Sequence, residues 1–216
     1  MPGVSETRLR ETIVRVMQAM SARGLNRGTA GNVSARLADG LLITPSGVAP
    51  EALTPDGIVR LDAAGQAREG ALKPSSEWRM HQRILQLRPT VNAVVHCHSR
   101  HATILACAGR SIPAMHYMVG VSGGPTVPVA PYAVFGSAEL AEAVDRTLGT
   151  QFACLMANHG QIVAASGLGR ALAIAEEIEE QAAVYCGTLA IGGPNLLTDV
   201  QMTEIFERFA DYGQGR

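Results

Sequence analysis

Hydrophobic positions recur along the chain at two spacings, which predicts interleaved helices and strands. From residue 5 to residue 23 they follow helical spacing up to Gly24, whereas residues 32–37 alternate between apolar and polar as in a half-buried strand. The pair Asp39-Gly40 that follows predicts a hairpin with a type I′ turn. Further helices are predicted over 73–87, 101–108, 137–148, 168–191 and 198–212, and further strands over 41–43, 58–61, 66–68, 91–98, 126–130, 152–157 and 161–165.

Hairpins and short connections predominate between these elements, and the sequence contains neither an internal repeat nor a Pro/Ser-rich linker. We therefore expect one α/β domain whose sheet is mixed or largely antiparallel, with helices on its faces. Hydrophobic residues make up 47% of the 216 residues and charged residues 17%. This composition excludes a disordered chain and leaves few charges for the surface, a deficit that a buried subunit interface would explain.

Charge and targeting signals exclude several classes of partner. The formal net charge is -1, from 18 basic and 19 acidic residues without a basic run, which argues against nucleic acid or an anionic membrane surface as the main partner. No apolar stretch approaches the roughly 20 residues that span a bilayer, and the first ten residues lack the apolar segment of a secretory signal. The four cysteines form no C-x-x-C pair, so we expect reduced thiols in a cytoplasmic protein.

Two histidine motifs are candidates for metal binding. In His96-Cys97-His98, on a predicted strand, the two imidazoles project from one face and the thiol from the other. Such a pair suits zinc, although histidines that form part of the core or make hydrogen bonds have the same pattern. His159 lies on a tight turn between two strands, where it is either a third ligand or a turn residue that caps backbone groups. Three histidines with an open fourth position are typical of a catalytic zinc site.

Glu77 is the candidate acid or base. A carboxylate beside a carbonyl compound bound to zinc could move a proton at the adjacent carbon. The position of Glu77 in the first turn of a predicted helix also has a structural explanation, because an acid there complements the helix dipole. His81, four residues later on the same helix, is expected to make a hydrogen bond along the helix face.

Three segments rich in small residues offer donors to an anion: residues 28–32, residues 44–47 and the Ser75-Ser76 pair at a helix start. Each taken alone is more simply explained as a turn or a cap. Neither glycine-containing loop matches a Walker A or a G-x-G-x-x-G motif, so nucleotides are not indicated.

Together these motifs resemble those of the class II aldolase/adducin-type family, in order and over almost the whole chain. The segments that carry the resemblance are 28–34 (GTAGNVS), 43–47 (ITPSG), 74–79 (PSSEWR), 93–96 (AVVH) with His98, 112–118 (IPAMHYM), 131–136 (PYAVFG) and 158–160 (NHG). The resemblance implies one three-layer α/β/α domain over residues 1–216 with a mainly antiparallel sheet. It also implies a C4 homotetramer with active sites at subunit interfaces.

The resemblance further assigns roles to particular residues. One zinc ion per subunit would be held by His96, His98 and His159, with Glu77 as the acid/base. The substrate phosphate would be held by a polar group comprising Thr29, Asn32, Ser46, Gly47, Ser75 and Ser76. Tyr117 of the neighbouring subunit would donate a proton to the aldehyde oxygen during bond formation, and Tyr212 in the C-terminal tail would help to close the site.

The activity implied is cleavage of a ketose 1-phosphate, either L-fuculose 1-phosphate or a related deoxy-pentulose phosphate, to dihydroxyacetone phosphate and an aldehyde. A Schiff base is not needed, and Lys73 is the only lysine. Within the family the alternatives are a ribulose-phosphate 4-epimerase, which uses a histidine in its C-terminal region where none follows His159 here, and a sugar-acid phosphate decarboxylase. An adducin-like interaction domain is the non-enzymatic alternative, but it would lack at least one of the three histidines or Glu77.

Overall fold

The computed structural model describes residues 5–68 and 70–211, which form six α-helices, seven strands and three short 3₁₀ helices. The α-helices are α1 (Glu6–Ala22), α2 (Trp78–Leu87), α3 (Arg100–Cys107), α4 (Ala138–Leu148), α5 (Leu168–Ala190) and α6 (Asp199–Asp211). The strands are β1 (Asn32–Leu37), β2 (Gly40–Ile43), β3 (Val59–Asp62), β4 (Ala93–Cys97), β5 (Val129–Ala130), β6 (Ala153–Met156) and β7 (Gly160–Ala165). The 3₁₀ helices are Pro50–Ala52, Pro55–Gly57 and Tyr117–Ser122.

The strands form one sheet in the order β3-β2-β1-β4-β7-β6-β5. Among the described strands only β5 and β6 pair in parallel, and every other neighbouring pair is antiparallel. The expected α/β fold with a mainly antiparallel sheet is therefore confirmed.

Apolar layers cover both faces of this sheet. On one face Val95 of β4 belongs to a core cluster with residues of α1, α3 and α5, and on the other face Val94 belongs to a cluster with residues of α2 and α4. Successive side chains of a strand point to opposite faces, so a strand buried on both faces is apolar throughout, as most of β4 is. The result is a three-layer α/β/α arrangement.

Helix starts follow the capping signals in the sequence. The Ser5 and Ser137 hydroxyls accept hydrogen bonds from backbone N–H groups in the first turns of α1 and α4. Before α6, Thr198 and Gln201 form a reciprocal capping box: the Thr198 hydroxyl accepts from the Gln201 N–H, and the Gln201 side chain accepts from the Thr198 N–H. No helix within the described residues is long and apolar enough to cross a membrane.

The first hairpin differs from the prediction at its turn. Leu37 pairs with Gly40, so the two loop residues are Ala38 and Asp39, and neither has a positive φ. The predicted type I′ turn at Asp39-Gly40 is wrong. Gly40 is needed for another reason, because a Cβ there would lie 2.0 Å from the carbonyl oxygen of Leu61 on β3.

The second helix begins five residues later than predicted. α2 starts at Trp78, and residues 73–75 instead pair with the loop after β2. Ser46 N–H donates to the Lys73 carbonyl at 2.9 Å, and Ser75 N–H donates to the Thr44 carbonyl at 3.0 Å. These partners lie about thirty residues apart in sequence, so local sequence patterns do not predict the contact.

Two predicted strands are shorter in the structure. The strand predicted over 66–68 is reduced to one bridge between Ala67 and Leu61, and the strand predicted over 126–130 consists of a Val127–Ile112 bridge followed by β5.

Candidate metal centre

One end of the sheet brings the three candidate histidines together. His96 lies near the end of β4, and His98 follows that strand directly. His159 lies in the turn between β6 and β7, and β7 pairs with β4 so that Cys97 faces Gln161. The turn therefore lies beside the end of β4.

The imidazoles of these histidines surround a common point. Their ring centroids form a nearly equilateral triangle with sides of 4.8, 4.8 and 4.9 Å. The Glu77 carboxylate completes the group, with Oε2 3.2 Å from His96 Nε2 and Oε1 3.1 Å from His159 Nε2. One ligand atom from each of the four residues lies within 4.8 Å of all the others. Glu77 and His96 are buried, whereas His98 is exposed, so the cluster is open to solvent on one side.

Hydrogen bonds orient the cluster for a cation. His96 Nδ1 lies 2.8 Å from the Gln161 carbonyl oxygen and must donate to it, so in the neutral form of the ring, the form that binds metal, the Nε2 lone pair points into the cluster. That Nε2 lies only 3.0 Å from His98 Nε2. In addition, the buried Glu77 Oε1 has no hydrogen-bond partner. Nitrogen lone pairs and an unpartnered carboxylate oxygen that face one another fit a divalent metal ion, and three imidazoles with a carboxylate suit zinc and related transition metals.

Burial and charge also shift the titration of these groups. Burial by itself would raise the pKa of Glu77, but His96 and His159 lower it well below its usual range. Burial, with a smaller contribution from the charge of His96, lowers the pKa of His98 to about 4. Glu77 is thus ionised and His98 neutral near pH 7, the forms that bind metal.

Glu77 does not occupy the helical position predicted for it. It precedes α2 with a non-helical backbone, and its side chain does not cap the helix. The carboxylate points into the histidine cluster and accepts a hydrogen bond of 2.9 Å from Asn32 Nδ2. The helix-dipole explanation is therefore insufficient for this acid.

Backbone features that local sequence patterns do not reveal hold the histidines in place. A Cβ on Gly160 would lie 2.5 Å from the Cys97 carbonyl oxygen and 3.1 Å from the His98 ring, so only glycine permits this approach. Asn158 has a φ of 56°, a left-handed conformation that asparagine tolerates better than most residues. The buried Asn26 side chain accepts a hydrogen bond of 3.0 Å from the His98 N–H.

The candidate anion-binding residues lie around the cluster at different depths. Asn32 and Ser75 are buried, whereas Thr29, Ser46, Gly47 and Ser76 are exposed. The backbone pairing of residues 44–46 with residues 73–75 places two of the three predicted segments side by side. Thr29 lies in the third segment, directly before β1.

A cavity of about 270 Å³ opens beside the cluster. Its lining residues include Ser76, Glu77, His98, His159, Tyr132 and Phe135. Tyr132 and Phe135 are both 66% exposed, on a loop that contacts the Ser76 segment closely enough for a Cβ on Gly136 to lie 2.6 Å from the Ser76 carbonyl oxygen. An apolar wall therefore lies beside a polar, charged floor.

Tyr117, the first of the two candidate tyrosines, lies away from this cavity. Tyr117 begins a 3₁₀ helix, is 51% exposed and lines a separate groove of about 780 Å³ with Phe206 and Phe209 of α6. Tyr212 lies outside the described residues.

His81 makes contacts other than the one predicted. Its ring lies between Ser34 and Asn32 of β1 and is fully buried. Asn32 and Ser34 share a strand face, and two adjacent polar positions on a buried face are the signal that could have indicated a polar partner.

Comparisons with known proteins identify the family of the chain. The family model described as Class II Aldolase and Adducin N-terminal domain matches residues 11–186. A 5-methylthioribulose-1-phosphate/5-deoxyribulose-1-phosphate aldolase of Rhodospirillum rubrum is 46% identical over 213 residues, which cover 99% of this chain and 96% of the relative. An L-fuculose phosphate aldolase of Escherichia coli is 45% identical over 97% of this chain and 98% of its own. The solved structure of an L-fuculose 1-phosphate aldolase matches with a TM-score of 0.91 and 35% identity, over 96% of this chain and 98% of that chain.

Proposed function

The chain belongs to the class II aldolase and adducin family and is an aldehyde-lyase, and from this premise we propose that it is a zinc-dependent aldolase that cleaves a ketose 1-phosphate to dihydroxyacetone phosphate and an aldehyde. The observation that carries the proposal is the convergence of three imidazoles and one carboxylate within 4.8 Å at an open end of the sheet. Such a cluster would serve no purpose in an adducin-like interaction domain.

His96, His98 and His159 would hold the metal. When bound, a divalent ion polarises the substrate carbonyl and stabilises the negative charge that develops as the C3–C4 bond breaks. Glu77 is the acid/base in this proposal: its ionised carboxylate accepts and returns the proton at the reacting carbon of the three-carbon fragment. The Asn32 amide holds one carboxylate oxygen, which leaves the other to move the proton.

The phosphate of the substrate would bind to the polar residues beside the cluster. Hydroxyl and amide groups with free backbone N–H groups are typical ligands of a phosphate. We assign this role to Thr29, Asn32, Ser46, Gly47, Ser75 and Ser76. The pairing of residues 44–46 with residues 73–75 supports the assignment, because it joins two of the donor segments into one surface.

The aldehyde part of the substrate would contact the aromatic loop. Tyr132 and Phe135 give one side of the cavity an apolar wall, which suits an aldehyde that ends in a methyl or methylthio group. L-fuculose 1-phosphate and the 5-deoxy- or 5-methylthio-pentulose phosphates all yield such aldehydes. Relatives that act on each kind are similar to this chain at nearly the same identity, 46% and 45%, so identity does not favour one substrate.

We further propose that the active enzyme is a C4 homotetramer in which Tyr117 of a neighbouring subunit reaches the cavity. Tyr117 lines a groove separate from the cavity of its own subunit and is half exposed among other aromatic residues, as expected of a residue that acts across an interface. Tyr212 would help to close the site.

The proposal is tested by incubating the zinc-loaded protein with L-fuculose 1-phosphate, L-rhamnulose 1-phosphate, 5-deoxyribulose 1-phosphate and 5-methylthioribulose 1-phosphate. We expect release of dihydroxyacetone phosphate from at least one of them. Absence of release from all four, together with epimerisation of ribulose 5-phosphate or decarboxylation of a sugar-acid phosphate, would assign the chain to another branch of the family.

A further inference from the structure

His81 is fully buried, and the proposed chemistry gives it no task. It projects from α2 towards β1, where its Nδ1 lies 2.8 Å from Ser34 Oγ and its Nε2 lies 2.6 Å from Asn32 Oδ1. The same Asn32 side chain donates through Nδ2 to Glu77 Oε2 at 2.9 Å. Four side chains thus form one continuous row of hydrogen bonds that ends at the carboxylate of the cluster.

Chemistry fixes the direction of every bond in this row. An ionised carboxylate only accepts, so the Asn32 NH₂ group must face Glu77 and its Oδ1 must face His81. An amide oxygen also only accepts, so His81 Nε2 must carry the proton. The other ring nitrogen, Nδ1, is then an acceptor and takes its hydrogen bond from the Ser34 hydroxyl.

The row selects one of two orientations for the Asn32 amide. A rotation of 180° would barely change the shape of the side chain, but it would place Oδ1 against Glu77 and the NH₂ group against His81 Nε2–H. The first contact would be repulsive in a buried site, and the second would force His81 into its Nδ1–H tautomer and reverse its hydrogen bond with Ser34. Burial, followed by the charge of His96, lowers the pKa of His81 to about 3, so the ring stays neutral and keeps one donor and one acceptor.

We propose that His81 is a positioning residue that fixes the amide of Asn32, so that the Asn32 N–H group holds the Glu77 carboxylate in place. The inference rests on the proposed function for its kinetic consequence only. The hydrogen-bond order itself can be measured without substrate.

The first measurement is the tautomer of His81, from long-range ¹H–¹⁵N spectra of the ¹⁵N-labelled full chain with zinc and after chelation. The signal is assigned by its loss in His81→Gln. We expect a proton on Nε2 and none on Nδ1. A proton on Nδ1 alone would overturn the proposal, whatever reaction the enzyme catalyses.

The second measurement uses two variants that each retain one half of the imidazole. His81→Gln places an amide NH₂ near the position of Nε2 and keeps a donor to Asn32, whereas His81→Asn reaches only the position of Nδ1 and keeps a partner for Ser34. The assay is deuterium exchange from D₂O into dihydroxyacetone phosphate by the zinc-loaded protein, which needs no aldehyde.

We expect His81→Asn to lower kcat for exchange about 10–100-fold, the usual cost of losing an outer hydrogen-bond partner, with zinc content unchanged and KM altered much less. His81→Gln should retain most of the activity. In the background of Asn32→Ala, the change His81→Asn should have little further effect, because His81 acts through Asn32.

Equal activity of His81→Asn and the wild type would overturn the proposal, and so would additive effects with Asn32→Ala. If the wild type catalyses no exchange, the proposed function fails, and the tautomer then decides the order of the hydrogen bonds alone. If His81→Asn does not fold, the tautomer again decides.

Discussion

Replacing Glu77 by Gln removes the proposed base and preserves the shape of the side chain. The amide oxygen of the substituted side chain can still accept from Asn32 Nδ2, which lies 2.9 Å from the carboxylate in the wild type. The three histidines remain, and three protein ligands are enough for a catalytic zinc site. We therefore expect Glu77→Gln to bind zinc at the wild-type stoichiometry.

The loss of activity should be large, because the carboxylate is buried and ionised beside the reacting atoms. A positioned general base contributes about 10²–10⁴-fold to a rate, which corresponds to about 2.7–5.4 kcal/mol of activation free energy at 25 °C. The exposed fraction of Glu77 is 7%, so bulk water has little access to take over the proton transfer. The expected change is a fall in kcat of this size with little change in KM.

The assay combines metal analysis with initial rates of dihydroxyacetone phosphate release and of deuterium exchange into that product. Glu179→Gln is the matched control, because Glu179 is a partly buried carboxylate that also has a lowered pKa but pairs with His101 and the start of α3. We expect Glu179→Gln to stay within a few-fold of wild-type activity. If Glu77→Gln retains both zinc and near-wild-type rates, Glu77 is not the acid/base.

Three further predictions concern the metal, the packing and the pH dependence of stability. His98→Ala should lose most of its bound zinc, and its activity should fall by more than the roughly 10–100-fold typical of outer partners; retention of stoichiometric zinc would contradict a ligand role. Gly160→Ala should destabilise the protein by about 1–3 kcal/mol, because its Cβ would lie 2.5 Å from a backbone oxygen, and should lower the thermal midpoint by roughly 2–12 °C. Gly169→Ala, where a Cβ meets nothing within 4 Å, should not lower that midpoint. Finally, His81 has a pKa of about 3 in the folded state against an ordinary value of 6.5, so between these values the unfolded chain binds more protons and acid favours unfolding. As the pH falls below 6.5, the free energy of unfolding of the wild type, measured by denaturant titration, should therefore decrease by about 1.4 kcal/mol per pH unit more than that of His81→Gln. If the free energies of unfolding of the two proteins change in parallel with pH, this prediction is wrong.

The order and type of the elements can be predicted because periodicity and capping are local. The helices predicted to begin at residues 137 and 198 do begin there, with Ser137 and the Thr198–Gln201 capping box at their starts. The predicted start of α2 is wrong because residues 73–75 pair with residues 44–46 of an earlier loop, and no local pattern shows that contact. The same holds for Gly40, whose close neighbour is on β3.

The candidate site can be predicted from the sequence to a similar extent. Alternation along β4 and the tight turn after β6 place the three histidines at rigid positions, and the structure brings them together with Glu77. The supporting contacts cannot be predicted from the sequence, because they join residues that are far apart along the chain. His81 is separated from its two partners by 47 and 49 residues, and Asn26 is separated from His98 by 72. Such supporting side chains become neighbours of the site only when the chain folds, and a single sequence does not show which residues become neighbours.

The proposed zinc-dependent cleavage is tested most directly by the metal dependence of the activity of the wild-type chain. The assay measures release of dihydroxyacetone phosphate from the ketose 1-phosphate that the protein prefers. It compares the protein purified with zinc, the protein after a chelator has removed zinc, and the protein after zinc has been restored. We expect activity that is lost on chelation and regained with about one zinc per subunit, in line with the single cluster of Glu77, His96, His98 and His159 within the described part of the chain. Undiminished cleavage by the metal-free protein would contradict this expectation.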